Sequence, residues 1–358
     1  MKWEIALCAL GACGAVALSA QSWTTTGIGF EGGFARVKAA GYGSGVYRDQ
    51  LDLPGSGSAF PAAFIVIPVG RRIALEPSLS ASHDRTSERS GLVATGTDAE
   101  LRLSLRADVG IASGFYVAAG GGIRYLASDD IHSLQTGILG AVGYRRNFGS
   151  NLGARIEGRW LSLRKSDSVA ASNQYALLIG LWRSVSGTAT RPAGRWRPQI
   201  GGAGGYIRAH LYGSVFGTYV DFHQTSLAFV GSGSTTPTKM FVIAPLGGRL
   251  AIETGFGVQR TQEHGFTLFD GHIAPRLDVA ITRGLYAGAG GNLRYLEQTG
   301  AASFAVAGAN VAVGYRAPLN PQLEGRAEIG YTVFKPRRNF PFAENDVAVL
   351  LGVAMALQ

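Results

Sequence analysis

The chain has 358 residues, of which 46% are hydrophobic and 16% charged, and a formal net charge of +9 at pH 7. Only five of its 33 basic residues are lysine, and this preponderance of arginine favours paired, partly buried positions over a freely solvated basic surface. Both cysteines, Cys8 and Cys13, lie in the first twenty residues. The remaining chain therefore has no disulfide, no cysteine metal site and no catalytic thiol.

Residues 1–20 predict a secretory signal peptide. They combine a charged start, an apolar run and small residues near position 20. Cleavage after Ser19 and after Ala20 are both compatible with this pattern, and a lipobox at Leu10 to Cys13 is a less favoured alternative. No later apolar run reaches the roughly 18 residues of a membrane-spanning helix, which leaves membrane strands as a possibility.

After the signal peptide, polar and apolar residues alternate with a period of two, which predicts β-strands. Tight connections between them are interleaved with longer ones, such as 38–59 and 83–97. An even number of strands with short turns on one side is typical of outer-membrane barrels. In the first half of the chain we expect eight strands: 27–37, 60–68, 71–82, 98–109, 114–126, 131–145, 151–163 and 173–183.

The second half of the chain repeats the first. "GFYVAAGGGIRYL" at 114–126 returns as "GLYAGAGGNLRYL" at 284–296, and "VGYR" occurs at 142–145 and again at 313–316. A repeat of about 170 residues indicates a duplicated domain rather than a solenoid unit. The predicted organisation is a signal peptide (1–20), a first eight-stranded repeat (21–184), a linker (185–198) and a second eight-stranded repeat (199–358).

One face of these strands carries acidic and basic residues together with glycine and alanine. Small residues facing bulk water would only weaken a strand, whereas in a narrow lumen they leave room for long side chains from opposite strands. Mixed signs also fit a buried ion-pair network, because an unpaired buried charge is very costly. The predicted lumen network comprises Glu31, Arg72, Glu76, Glu100, Arg102, Arg106, Asp108, Arg124, Arg155, Glu157, Arg159, Arg249, Glu253, Arg276, Asp278, Arg294, Glu324, Arg326 and Glu328.

The other face is apolar and is bounded by aromatic residues. Phe115 and Tyr125 stand at the two ends of one such face, which in a tilted strand spans roughly 25–28 Å, close to the apolar band of an outer-membrane barrel. Aromatic residues at both ends of that band suit the two lipid–water interfaces. The predicted interface belt consists of Phe115, Tyr125, Trp160, Tyr295 and Tyr331.

With this pattern the chain resembles the small eight-stranded outer-membrane barrels of Gram-negative bacteria, in two tandem copies. The resemblance implies an all-β, antiparallel, up-and-down transmembrane barrel that is placed in the outer-membrane bilayer by the barrel insertion machinery. Such proteins usually end in an aromatic residue, whereas this chain ends "AMALQ". One sixteen-stranded porin-like barrel and a soluble lipocalin-like barrel are the alternative folds. Pairing of 173–183 with 27–37, rather than with 199–210, would identify two separate barrels.

The sequence predicts a non-enzymatic outer-membrane protein with a structural, adhesive or surface-exposed role. A channel for small solutes is the alternative, and a lipid-modifying enzyme using His83 with Ser80 and Ser82, or using His264, is less favoured because no third residue orients the histidine. The pattern indicates no catalytic, cofactor or metal site. The interspersed charges do not favour nucleic-acid binding. The extracellular ligand stays unidentified.

Overall fold

The computed structural model of the protein describes residues 23, 25–39, 46–52, 62–88, 96–148, 152–185, 196–215, 218–229, 239–263, 266–299, 303–334 and 345–357. The predicted signal peptide and most of the predicted linker lie outside this part of the chain. The regular structure in these residues is entirely β. None of them forms a helix long and apolar enough to cross a membrane.

The described residues form eighteen strands, numbered here in chain order. The first nine are β1 (Gly27–Ala39), β2 (Val46–Asp52), β3 (Ala62–Pro68), β4 (Ile73–Glu88), β5 (Gly96–Ala112), β6 (Phe115–Ser128), β7 (His132–Phe148), β8 (Leu152–Leu163) and β9 (Ser172–Ser184). The second nine are β10 (Gln199–Val215), β11 (Thr218–Phe229), β12 (Lys239–Pro245), β13 (Leu250–Glu263), β14 (Phe266–Ala280), β15 (Leu285–Gln298), β16 (Phe304–Pro318), β17 (Leu323–Phe334) and β18 (Asn345–Ala356).

Eight of the first nine strands, β1 and β3 to β9, close an antiparallel barrel. Consecutive strands from β3 to β9 pair in order, and β9 returns to β1 along its whole length, from Gly27↔Ser184 to Ala39↔Ser172. β2 and β3 lie end to end beside β1 and fill one strand position, so the barrel is eight-stranded. The expected pairing of 173–183 with 27–37 is therefore confirmed.

The second nine strands repeat this arrangement. β18 pairs with β10 from Gln199↔Ala356 to His210↔Asn345, and β11 and β12 share one position beside β10. The predicted fold class, two closed antiparallel eight-stranded barrels in tandem, is confirmed.

β2 was not expected from the sequence, which predicted a loop over 38–59. The strand is "VYRDQLD", and three of its seven residues are charged, so the apolar alternation that marks a half-buried strand is weak. Its pairing with β1 explains why the chain forms a strand there.

The two faces of the wall have opposite character. On β5, Leu105 and Ile111 are exposed on the outside, whereas Arg106 and Asp108 on the inside are buried. The outer face is therefore apolar and the lumen is charged, as in a membrane barrel and unlike a soluble barrel.

The two ends of the barrels differ. At the tight-turn end, turns such as 69–72, 113–114 and 281–284 connect the strands. At the opposite end, here called the loop end, 164–171 connects β8 to β9, and Gln135 of β7 donates hydrogen bonds to the carbonyls of Arg164 and Ala170. At the loop end the barrels also pair with each other: β2 with β13, and β11 with β4.

Candidate functional site: two ion-pair clusters that fill the barrels

The lumen of the first barrel holds an ion-pair cluster, here called the first plug. Its members are charged residues that point inward from four strands and are at least 93% buried. They are Glu31 (β1), Glu76 (β4), Arg106 and Asp108 (β5), and Arg155, Glu157 and Arg159 (β8).

Arg155 connects opposite walls of the barrel, and Arg159 links β8 to β1. The guanidinium of Arg155 contacts both Glu31 and Glu76, and Arg159 places Nη1 2.7 Å from Glu31 Oε1 and Nη2 2.6 Å from Glu157 Oε1. Because β8 lies opposite β4 in the barrel, the contact between Arg155 and Glu76 crosses the lumen.

Arg106 completes the cluster from β5. Its Nη1 and Nη2 each lie 2.7 Å from an oxygen of Glu157, in the bidentate geometry that makes arginine–carboxylate pairs strong. The same guanidinium lies 3.0 Å from Glu76 Oε1 and 2.9 Å from Asp108 Oδ1. Each carboxylate of the plug therefore has a cationic partner.

Aromatic residues close the tight-turn side of the first plug. Tyr116 is 1% exposed and donates a 2.5 Å hydrogen bond to Glu157 Oε2. Its ring fits because position 143 is glycine: a Cβ there would lie 2.5 Å from the tyrosine hydroxyl. Below it, Trp23 packs edge-on against Tyr116, and the guanidinium of Arg145 lies 2.9 Å from the centre of the indole.

The second barrel holds an equivalent cluster, here called the second plug: Lys239 (β12), Glu253 (β13), Arg276 and Asp278 (β14), and Arg326 and Glu328 (β17). Arg276 binds Glu328 through both oxygens, at 2.7 and 3.0 Å. Arg326 Nη2 lies 2.6 Å from Glu253 Oε2.

The aromatic floor is repeated in the second barrel as well. Tyr286 donates to Glu328 at 2.7 Å, and Gly314 leaves space for its ring. Trp196 packs against Tyr286, and Arg316 lies 3.6 Å from the centre of the indole.

The two plugs differ at three positions. Where the first has Glu31 and Arg159, the corresponding residues of the second barrel are Ala203 and Gly330. Where the first barrel has Ala62, the second has Lys239, whose Nζ lies 2.9 Å from Glu253 and 3.0 Å from Glu328. One lysine thus replaces an arginine–glutamate pair, and the second plug contains fewer bulky groups.

Smaller clusters lie nearer the loop end. In the first barrel Glu100 contacts both Arg102 and Arg124, and in the second Arg294 binds Asp270 through two hydrogen bonds of 3.0 and 2.6 Å. These side chains are only partly buried.

The remaining predicted residues lie elsewhere. Arg72 and Arg249 belong to the tight turns and are exposed, because the strands begin one residue later, so neither is part of the lumen network. Glu324 lies at the tight-turn end, 3.5 Å from Arg316. The belt residues Phe115, Tyr125, Trp160, Tyr295 and Tyr331 all face outward and are 36–42% exposed.

Sequence reasoning missed the tyrosines, the tryptophans and Lys239. The repeat contained the signal for the aromatic residues: Tyr116 and Tyr286 occupy matching places, Trp23 and Trp196 precede the first strand of each copy, and the "VGYR" motifs supply Gly143 with Arg145 and Gly314 with Arg316. Lys239 had no such signal because the first copy has alanine there.

The structure brings together no nucleophile and histidine at the positions considered from the sequence. Neighbouring strand residues point to opposite faces, so His83 lies on the other side of the wall from Ser82, and Ser80 faces the lumen. His264 lies outside the described residues. Within the described part of the chain, no group of three or more His, Cys, Asp or Glu residues is arranged to hold a metal ion.

No family model matches the sequence, and no curated protein matches it significantly. Among solved structures, a bacterial polysaccharide outer-membrane secretin is similar over 93% of this chain and 99% of its own, at 9% identity and a TM-score of 0.35. A FadL homologue of Pseudomonas aeruginosa covers 93% and 91% respectively, at 11% identity and a TM-score of 0.32. The translocator domain of the Neisseria meningitidis autotransporter NalP covers 99% and 94%, at 7% identity and a TM-score of 0.25. These identities and TM-scores are too low to transfer an activity or a ligand to this chain.

Proposed function

We propose that the protein is a non-enzymatic integral outer-membrane protein that does not conduct solutes and acts through its extracellular loop end. Its wall supports membrane residence, because exposed Leu, Ile and Val side chains cover the outer face between the aromatic positions. Short turns lie on the periplasmic side of outer-membrane barrels, so the tight-turn end faces the periplasm. The signal peptide and the barrel insertion machinery would deliver the chain there.

The observation that carries the proposal is the pair of plugs. An eight-stranded barrel has an interior just large enough to be filled by side chains. The first plug connects β1, β4, β5 and β8 across that interior, and the aromatic floor of Trp23 and Tyr116 lies beneath it. A solute would have to break several buried ion pairs to pass.

A channel is the second candidate, and the second barrel is where it would operate. Ala203 and Gly330 replace two long side chains of the first plug, so less material fills that lumen. Any leak is therefore expected through the second barrel rather than the first.

Planar-bilayer recording of the full-length protein tests the proposal. We expect the native protein to give small, irregular conductance or none. The charge-neutral double variant Glu253→Ala/Arg326→Ala removes two long side chains from the second plug and should produce stable steps. The matched control, Glu297→Ala/Arg283→Ala, removes the same two charges from exposed positions and should behave like the native protein.

Large, stable steps from the native protein would contradict the proposal and favour a channel. Equal conductance from the native protein and the lumen variant would show that the plugs do not determine permeability.

A further inference from the structure

Four strands change their pairing partner partway along their length. β1 pairs with β3 up to Glu31 and with β2 from Gly33, and β4 pairs with β3 up to Leu79 and with β11 from Ala81. In the second barrel, β10 pairs with β12 up to Ala203 and with β11 from Gly205. β13 pairs with β12 up to Phe256 and with β2 from Gln259.

Because of these changes, the sheet closes differently at the two ends of the barrels. On the tight-turn side each barrel closes by itself, through β3–β4 and β12–β13. On the loop side the β1–β2 hairpin pairs with β13 and the β10–β11 hairpin pairs with β4. The loop side then forms one circuit of sixteen strands: β9, β1, β2, β13 to β18, β10, β11 and β4 to β8.

The sixteen-stranded part, here called the collar, begins where the membrane-facing surface ends. On β1 the outward residues change from Phe34 to Arg36, and on β10 from Tyr206 to Arg208, within three residues of the change in pairing. On β4 the last exposed apolar residue before the change is Leu79, and the exposed Arg85 follows it. Charged side chains on an outer wall are costly in the bilayer core, so the collar stands on the extracellular side of the apolar band.

Each barrel thus contributes one hairpin to the wall of the other, and these two hairpin exchanges have equivalent strand registers. Gly33↔Asp52 in the first hairpin corresponds to Gly205↔Ala228 in the second. Across the barrels, Asp49↔Gln262 corresponds to Thr225↔Arg85. The barrels are thus related by a pseudo-twofold, isologous exchange of hairpins, the symmetry expected of a closed two-copy assembly.

We infer that the two barrels share one extracellular mouth. The collar bounds this mouth, and each plug closes the lumen of its own barrel below it. Eight strands tilted by about 40° give a backbone perimeter of roughly 50 Å, and sixteen give roughly 100 Å. The backbone ring that bounds the mouth therefore has about twice the perimeter of either barrel. The joining of the two barrels depends on strand pairing alone, and its extracellular position rests on the membrane orientation of the proposed function. Neither depends on whether the plugs conduct.

Disulfide trapping tests the exchange in the full-length protein, because the chain after residue 20 contains no cysteine. Thr225→Cys/Arg85→Cys joins positions that pair only between barrels, where the Thr225 hydroxyl lies 3.5 Å from the Arg85 carbonyl. The matched control is Asp49→Cys/Arg85→Cys, since Asp49 holds the equivalent position of the first hairpin and would face Arg85 only if the first barrel closed by itself. A protease site inserted within residues 186–195 allows the two halves to be separated after oxidation.

We expect the Thr225/Arg85 variant to stay full-sized after oxidation and cleavage, and the Asp49/Arg85 variant to fall into two fragments without an internal crosslink. Adjacent antiparallel pairs alternate between closer and wider side-chain spacing, so Gln224→Cys/Thr86→Cys and its control Arg48→Cys/Thr86→Cys repeat the test one position along. Crosslinking in both Asp49 and Thr225 variants, in the Asp49 variant alone, or in none of the four would each overturn the shared mouth.

Discussion

Glu157→Leu is the most direct test of the first plug. In the native protein the two oxygens of Glu157 accept from Arg106, Arg159 and Tyr116 at 2.5–2.7 Å, and the side chain is almost completely buried. Leucine fills a similar volume but accepts no hydrogen bond, so two buried guanidiniums and one hydroxyl lose a partner.

Breaking a buried ion pair from one side costs about 3–5 kcal/mol. Arg106 keeps Glu76 and Asp108 as partners, and Arg159 keeps Glu31. We therefore expect the free energy of unfolding to fall by about 3 kcal/mol, at the lower end of that range.

Urea unfolding in detergent micelles, followed by tryptophan fluorescence and by gel mobility without heating, measures this change. The exposed Asp167→Leu serves as the control and should cost less than about 0.5 kcal/mol. The double variant Glu157→Leu/Arg159→Leu should recover part of the loss, because the stranded charge is removed together with its partner. A loss below about 0.5 kcal/mol for Glu157→Leu itself would mean that this face of β8 lies in water, and the lumen assignment would be wrong.

Three further predictions concern location, packing and the collar. The native protein should fractionate with the outer membrane and migrate differently on gels with and without heating; recovery as a soluble periplasmic monomer without detergent would contradict membrane residence. Gly143→Ala should lower the free energy of unfolding because its Cβ meets the Tyr116 ring, whereas Gly158→Ala, with no atom closer than 3.8 Å, should be tolerated; equal effects on urea midpoints would refute the packing argument. Residues 21–184 alone should refold in micelles as a barrel but leave the β2 and upper β4 edges unpaired, so light scattering should show a dimer, and a stable monomer would indicate that these edges close on each other.

The sequence correctly predicted which residues face outward and which face the lumen, because the alternation along a strand determines both faces at once. Residues such as Leu105 and Arg106 sit side by side with opposite character, and a one-residue error of register would put a charge into lipid. The same reasoning wrongly placed Arg72 and Arg249 in the lumen network. A period of two does not show where a strand ends and a turn begins, and both residues lie in turns.

The strand exchange could not be predicted, and the reason lies in the duplication itself. Asp49 and Thr225 occupy equivalent positions, so pairing Arg85 with either satisfies the same backbone hydrogen bonds and the same local pattern. The ion-pair partners within each plug could not be predicted from the sequence either. Alternation turns Arg106 and Glu157 inward, but which arginine meets which carboxylate depends on the three-dimensional arrangement of strands around the barrel.

The replacement of Glu31 and Arg159 by Lys239 constrains how one plug could be converted into the other by single substitutions. The first plug has four carboxylates and three arginines, and the second has three carboxylates, two arginines and a lysine. Removing Arg159 from the first barrel first would leave four buried carboxylates with two arginines. Removing Glu31 first would leave three carboxylates and three arginines, with Arg155 still in contact with Glu76 and Arg159 with Glu157. Introducing lysine at Ala62 first adds a cation where an anion is in excess. Gaining the lysine first or losing Glu31 first therefore balances the buried charges, whereas losing Arg159 first does not.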